Sequence, residues 1–345
     1  MTSTLAEDEL AEIRGHVDRF FDRRVDAVAD RPVVDRPLHE EMGDLGFFSQ
    51  GLPDALGGLD LPPAAAAAIA AGAGRALVHG PWLDQLVVVE LLAAVAPQHL
   101  PPLLDGRVLF SVAFAGAELV HDPVTGTLRG TVSRVRFGSH VDRWCLVTGT
   151  GTHVVAAGAP GIGDMVEEPA IDPSWTSYTV TFDGVVPEFS VAHGPELHNR
   201  THNRAKGLLA CFSVGAAQRV LEIAVEYVKT RKQFGKPVGS FQAIKHRLAG
   251  CYIELVHARA LAARAVDHDD RTVAAAARVL ADEAFRHTAE GALQVHGGVG
   301  FTAEVPVHHY VKAAQQARAW PLPISDELDL LRSALEMDIL LPEPS

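Results

Sequence analysis

Arg231-Lys232-Gln233-Phe234-Gly235-Lys236-Pro237-Val238-Gly239-Ser240-Phe241-Gln242 interrupts a long helical pattern. Glycine and proline break the preceding helix, and a new apolar stripe begins at Phe241. A second glycine-rich segment follows, Gln294-Val295-His296-Gly297-Gly298-Val299-Gly300-Phe301-Thr302. Each segment has a bland reading. Arg231 is a charge favourable to a helix C-terminus, and Gly297 is a helix cap tolerant of left-handed backbone. Each also has a reading in terms of a ligand. A planar guanidinium fork matches phosphate oxygens, and backbone without side chains admits a close-lying molecule.

Around these segments the chain divides into three by composition. Residues 1–104 read mainly as helices, with Leu10, Ile13, Val17 and Phe20-Phe21 at three- to four-residue spacing. The turn Gly51-Leu52-Pro53-Asp54-Ala55-Leu56-Gly57-Gly58-Leu59 follows, then an Ala-rich helix to about Arg75 and another over 83–96. Residues 105–190 are β-branched and aromatic, with strands expected at 128–135, 143–148, 153–157 and 178–182. Asp122-Pro123, Thr125-Gly126 and Asp183-Gly184 punctuate them as hairpin turns. This segment reads as a small antiparallel barrel or sandwich. Residues 191–345 return to helix. One stripe carries Phe241, Ile244, Leu248, Cys251-Tyr252 and Leu255, and another Val273, Ala277, Leu280, Ala284 and Leu293. The fold class is α+β and multidomain.

The chain of 345 residues suffices for a sizeable core, and its 48% hydrophobic and 21% charged content marks a soluble globular protein. The net charge of −13 argues against nucleic acid, whose phosphates need basic patches. No membrane span and no signal peptide are expected, and three scattered cysteines fit a reducing cytoplasm. The 17 histidines include no HExxH motif, so no metal site is expected.

Taken in order and spacing, the two glycine-containing segments resemble the C-terminal domain of the acyl-CoA dehydrogenase family of flavoproteins. The resemblance is strong over the C-terminal half, moderate over the N-terminal segment and only in outline over the middle. It implies helical, β and four-helix-bundle domains, α,β-desaturation of acyl-CoA thioesters, and FAD as cofactor. It implies further that Arg231 meets the pyrophosphate of a neighbouring subunit's FAD, with Gln233 beside it. Phe234 would pack on the cofactor, Gln242 would hydrogen-bond it, and Gln294, Gly297 and Gly298 would lie at its adenosine end. His296 is read as a packing or hydrogen-bonding residue, and Glu304 as a capping carboxylate.

The rest of the family's site is not legible. Its catalytic glutamate should fall on Pro321 or Leu322, within Trp320-Pro321-Leu322-Pro323, or alternatively on Ala205, and none of these is an acid. The motif Thr-x-Pro-x-x-Gly-Ser is replaced by Ala113-Phe114-Ala115-Gly116-Ala117-Glu118, and the flavin-ring strand is unrecognisable near Arg136-Phe137-Gly138-Ser139. This pattern resembles the short, base-less subunits of bacterial heteromeric acyl-CoA dehydrogenases of the steroid side-chain type. It implies no catalytic residue here, and a second acyl-CoA dehydrogenase subunit or a self-dimer as partner. Two alternatives stay open: a flavin-free structural subunit, and an independent enzyme using Glu327 or Asp326. Ser325-Asp326-Glu327 before Leu328, Leu330 and Leu331 otherwise reads as a capped helix start.

Overall fold

The structure, a computed structural model, describes residues 7–23, 33–172, 174–302, 304–319 and 324–340. Its ten helices among the described residues are α1 (Glu7–Asp22), α2 (Arg36–Asp44), α3 (Pro63–Arg75), α4 (Trp82–Val95), α5 (Pro101–Leu104), α6 (Pro195–Thr230), α7 (Gln242–Asp267), α8 (Arg271–His296), α9 (Val307–Ala319) and α10 (Ile324–Leu340). Eight strands lie between α5 and α6: β1 (Phe110–Phe114), β2 (Leu119–Asp122), β3 (Thr127–Arg136), β4 (Arg143–Val147), β5 (Gly151–Ala156), β6 (Ile162–Glu167), β7 (Ser177–Val185) and β8 (Phe189–Ala192). A two-stranded ribbon, β9 (Lys232–Gln233) and β10 (Lys236–Pro237), follows α6. The chain folds as two compact units.

The first unit holds residues 31–66 and 79–205. Its strands form two four-stranded sheets, ordered β1-β4-β5-β8 and β2-β3-β7-β6. Trp144 of β4 meets Phe182 of β7 edge-on, at 6.1 Å between centroids, so the inner faces of the sheets share an aromatic core. The sheets remain open and no barrel closes. The expectation of purely antiparallel pairing is corrected at β1 and β4, which run parallel. The chain leaves β1 to build β2 and β3 in the other sheet, and so returns to β4 in the same direction. Asp122 does form the β2–β3 turn, accepting hydrogen bonds from the Val124 amide and the Thr125 hydroxyl at 2.8 Å each. Asp183-Gly184, expected as a turn, lies inside β7 at a register shift, where Gly184 takes φ 74°.

Helix α4 is apolar on every side and is buried from Trp82 to Val89. Its two buried polar residues, Asp84 and Gln85, offset their burial by docking β1. The Asp84 carboxylate accepts the Val112 amide at 2.7 Å and is paired with the buried Arg136. Gln85 accepts the Phe110 amide at 3.1 Å and donates to the carbonyls of Leu103 and Val108.

The second unit holds residues 7–30, 67–78 and 206–345. In it α8 is the central helix, packed against α7, α9 and α10. Asp270 caps α8 by accepting the amides of Thr272 and Val273 at 2.8 and 2.9 Å. Ser213 of α6 donates to Asp282 of α8 at 2.7 Å, and the same carboxylate is paired with Arg278. The stripes read from the sequence hold at Cys251, Leu255, Ala277 and Ala284, whereas Tyr252 and Leu280 are exposed. Helix α6 contains a window long and apolar enough to cross a membrane by length and composition, but 72% of it is buried, as befits a core helix. Cys145, Cys211 and Cys251 are buried thiols outside any disulfide, and among the described residues no three His, Cys, Asp or Glu gather as metal ligands.

Candidate functional site

The site lies in the second unit, where α6 ends, the ribbon turns and α7 begins. The Arg231 amide still donates to the Tyr227 carbonyl at 2.9 Å, and the Arg231 carbonyl then accepts the Val238 amide at 2.8 Å, closing the excursion. Between them Lys232 pairs with Pro237 and Gln233 with Lys236. Phe234 and Gly235 form the two-residue turn with φ of 53° and 81°, the double positive φ of a type I′ hairpin. Gly235 adopts this freely, but a bulky residue at positive φ stores about 1–3 kcal/mol of strain. The strain holds the Phe234 ring 90% exposed, edge-on to Phe241 at 6.2 Å. The Lys236 ammonium sits 4.4 Å above the Phe241 ring.

The second glycine-rich segment is tied to the end of α6 by an aromatic pair. Tyr227, one turn before Arg231, stacks on His296 at 4.1 Å between ring centroids. His296 is buried and bonded through Nδ1 to the Ala292 carbonyl at 2.7 Å, which agrees with its expected packing role. Gly297 ends α8 at φ 62°, ψ −139°, a combination outside the left-handed well expected of a simple cap and open only to glycine. A Cβ added at Gly297, Gly298 or Gly235 would meet nothing within 4 Å.

Every expected cofactor residue is therefore in this unit, and Arg231, Gln233, Phe234, Gln242, Gln294, Gly297 and Gly298 are all exposed. Gln233 bonds only locally, donating to the Lys232 carbonyl at 2.9 Å. A guanidinium, amide side chains, an aromatic face and bare glycine backbone make a donor set suited to a pyrophosphate with a flat ring system. The residues present thus fit a flavin dinucleotide approaching from outside the unit. Tyr227 escaped notice in the sequence. Its signal was its position four residues before Arg231, one helical turn away.

The acid candidates end differently. Pro321 and Leu322 lie outside the described residues. Ala205 is fully buried on α6. Its neighbour Lys206 is buried too, with Nζ 2.8 Å from Glu327 Oε2. Burial presses the Lys206 pKa down, and the Glu327 hydrogen bond and charge oppose this. Glu327 is 2% exposed within the first turn of α10, so it is an ion-pair partner rather than a surface capping acid. Ser325 is likewise inside α10, where its hydroxyl donates to Asp326 at 3.1 Å. Glu304 is exposed, its amide 3.4 Å from the Thr302 hydroxyl. In the first unit, the loop after β1 is occupied by its own acid. Glu118 accepts the Gly116 amide at 3.2 Å.

Residues 7–99 match the family model for the acyl-CoA dehydrogenase N-terminal domain, and residues 193–321 that for the C-terminal domain. The chain belongs to the acyl-CoA dehydrogenase family. Among curated members, it is 35% identical over 285 residues to acyl-CoA dehydrogenase IpdE2 of Mycobacterium tuberculosis, covering 81% of this chain and 79% of that one. The acyl-CoA dehydrogenase fold is also shared with a chain of the ChsE4-ChsE5 complex from the same organism. The TM-score is 0.86 at 25% identity, covering 99% of both chains. A chain of the Tcur3481-Tcur3483 steroid acyl-CoA dehydrogenase aligns with TM-score 0.82 at 25% identity, covering 96% of this chain and 99% of that one. PigA, solved with FAD, shares the fold at TM-score 0.85 and 19% identity.

Proposed function

We propose that this acyl-CoA dehydrogenase family member is a subunit of a heteromeric, FAD-dependent enzyme that introduces a Cα–Cβ double bond into an acyl-CoA thioester of steroid side-chain type. In this reading it lacks its own catalytic base and completes the flavin site of a cytoplasmic partner. The segments 1–104, 105–190 and 191–345 correspond to the family's helical, β and bundle domains. The observation that carries the reading is the outward presentation of Arg231, Gln233, Phe234, Gln242, Gln294 and the Gly297-Gly298 backbone, none of them spent on the unit's own core. The relatives named above, two of them from complexes named for two proteins, support it.

FAD, when bound, supplies the acceptor for the hydride leaving Cβ. This chain's share is to hold that cofactor. Arg231 would neutralise the pyrophosphate, Gln233 and Gln242 would hydrogen-bond it, and the Phe234 face would cover an apolar part of it. Gln294 and the Gly297-Gly298 backbone would receive the adenosine end. Removal of the α-proton needs a positioned carboxylate. Ala205 cannot accept a proton, and Glu327 is held by Lys206. The partner subunit would therefore supply the base.

A second reading, a flavin-free structural subunit, is favoured by Glu118, whose carboxylate occupies the Gly116 amide after β1 and would repel a phosphate there. Purification from native cells distinguishes the two. The proposed subunit elutes with a second, base-containing family member, with FAD absorbance and with acyl-CoA-dependent dye reduction, whereas the lone chain is inactive with added FAD. A colourless complex would establish the structural reading. A fully active single chain would overturn both.

A further inference from the structure

A cavity of about 260 Å³ lies within the second unit, bounded by α1, α3, α6 and α7. None of the residues at 231–242 or 294–298 lines it. Its walls are small side chains, Ala67 and Ala71 of α3, Cys211 and Val214 of α6, and Ala262 of α7. Such a void would normally close by helices moving together. Here they already touch. A Cβ on Gly215 would lie 1.9 Å from the Ala71 carbonyl oxygen, and one on Gly74 would lie 2.0 Å from that of Phe212. The backbones of α3 and α6 are in contact, so alanines beside that contact leave a space that cannot collapse. Helix α1 is fixed as well, because Val17 and Phe21 fill the position a side chain at Gly72 would take, at 2.6 and 2.7 Å.

The rim is charged. Arg14 of α1 and Arg259 of α7 both line the cavity and are exposed. Arg259 donates through Nη2 to Gln218 at 2.6 Å, which spends one of its five N–H groups. Gln218 passes its own amide to Glu222 at 2.7 Å, and Glu222 also accepts Arg75 at 3.0 Å. Asp22 and Asp18 stand 3.6 and 3.9 Å from Arg75. Asp18 itself lines the cavity, within electrostatic reach of Arg14 as well as Arg75, so the cations Arg14, Arg75 and Arg259 outnumber the one acid of the lining. An apolar cavity of about 150 Å³ holds a benzene ring. The larger volume here has room for a ring or short alkyl chain and one ionised head.

We propose that this cavity is a binding site for a small monocarboxylate with a compact apolar body, seated between α3, α6 and α7 with its carboxylate on Arg259 and Arg14. Binding would tie α1 to the helices behind it.

Calorimetry and thermal unfolding of the full chain with benzoate and hexanoate test the site, with benzyl alcohol and benzylamine as controls of matched shape. Benzoate and hexanoate should bind saturably, raise Tm and slow amide exchange along α1, while the neutral and cationic controls do neither. Ala67→Leu, which fills the cavity from a half-buried position, should abolish the benzoate response without lowering the ligand-free Tm. Arg259→Gln should weaken benzoate by about tenfold, the effect of losing a charge-assisted hydrogen bond. The proposal fails if neither acid binds below about 10 mM, or if the alcohol or amine binds equally well. It also fails if benzoate binding survives Arg259→Gln unchanged, a test that stands even where Ala67→Leu does not fold.

Discussion

The Tyr227 ring lies on the His296 imidazole, centroids 4.1 Å apart and planes 24° from parallel, with the Tyr227 hydroxyl 3.5 Å from the His296 carbonyl. One turn beyond Tyr227 is Arg231, and immediately beyond His296 is Gly297-Gly298. This stack registers two sequence-distant segments against each other. Aromatic pairs contribute about 0.5–1.5 kcal/mol beyond burial. Tyr227→Ala should therefore lower the FAD content of the partnered complex while the helical circular dichroism signal stays intact. Tyr227→Phe should retain most of it, because the hydroxyl contact is long. Equal FAD occupancy in wild type and Tyr227→Ala would show that the stack does not position the cradle.

Arg231 provides a direct test of the cofactor face. Its guanidinium is exposed, so truncation leaves no buried polar group behind. Arg231→Ala in the partnered complex should weaken FAD by roughly 1.5–3 kcal/mol, the range for hydrogen bonds to a charged group. Flavin absorbance after gel filtration reads this out. Thermal stability of the lone chain should not change.

The Lys206–Glu327 pair, each side chain 3% exposed, should behave as a buried ion pair. Breaking it from one side leaves an uncompensated charge, so Lys206→Met should cost about 3–5 kcal/mol in denaturant unfolding. Lys206→Met combined with Glu327→Leu should recover most of that loss, since a hydrophobic replacement of both partners is often neutral. In the partnered complex, Glu327→Gln should leave acyl-CoA turnover per folded complex unchanged. A selective loss of turnover would restore Glu327 as a base.

His39 sets a pH dependence in the first unit. It is buried, stacked on Phe48 at 4.6 Å, and burial, helped by the Arg36 charge, drives its pKa down to about 3. The unfolded chain protonates His39 near its ordinary value of 6.5, whereas the folded chain resists until about pH 3. The contribution of the neutral ring is thus fully present above pH 6.5 and is lost as pH falls toward 3. His39→Phe should flatten the stability profile between pH 7.5 and 5 relative to wild type. Parallel profiles in urea titrations would remove His39 from the account.

Much of the architecture was legible because it rests on local rules. The periodicity of Leu10, Ile13, Val17 and Phe20-Phe21 belongs to α1, and Asp122 builds the β2–β3 turn with its own side chain. The family was legible for the same reason, since Arg231 to Gln242 and Gln294 to Gly298 are contiguous segments whose glycines meet local backbone demands. Asp183-Gly184 was misread because a bulge inside a strand and a turn both favour a small residue at positive φ, and only pairing with Arg129 separates them. The parallel pairing of β1 with β4 depended on which sheet the intervening strands joined. Tertiary structure alone decided the partners of buried charges. Lys206 and Glu327 are 121 positions apart in the sequence, and desolvation forces each to find the other only once α6 and α10 are packed. The sequence by itself determined the segments that can present a cofactor face. The packing decided that Glu327, an acid the sequence left open as a base, is already paired, because a buried carboxylate must be paired and its neighbour in space is a lysine.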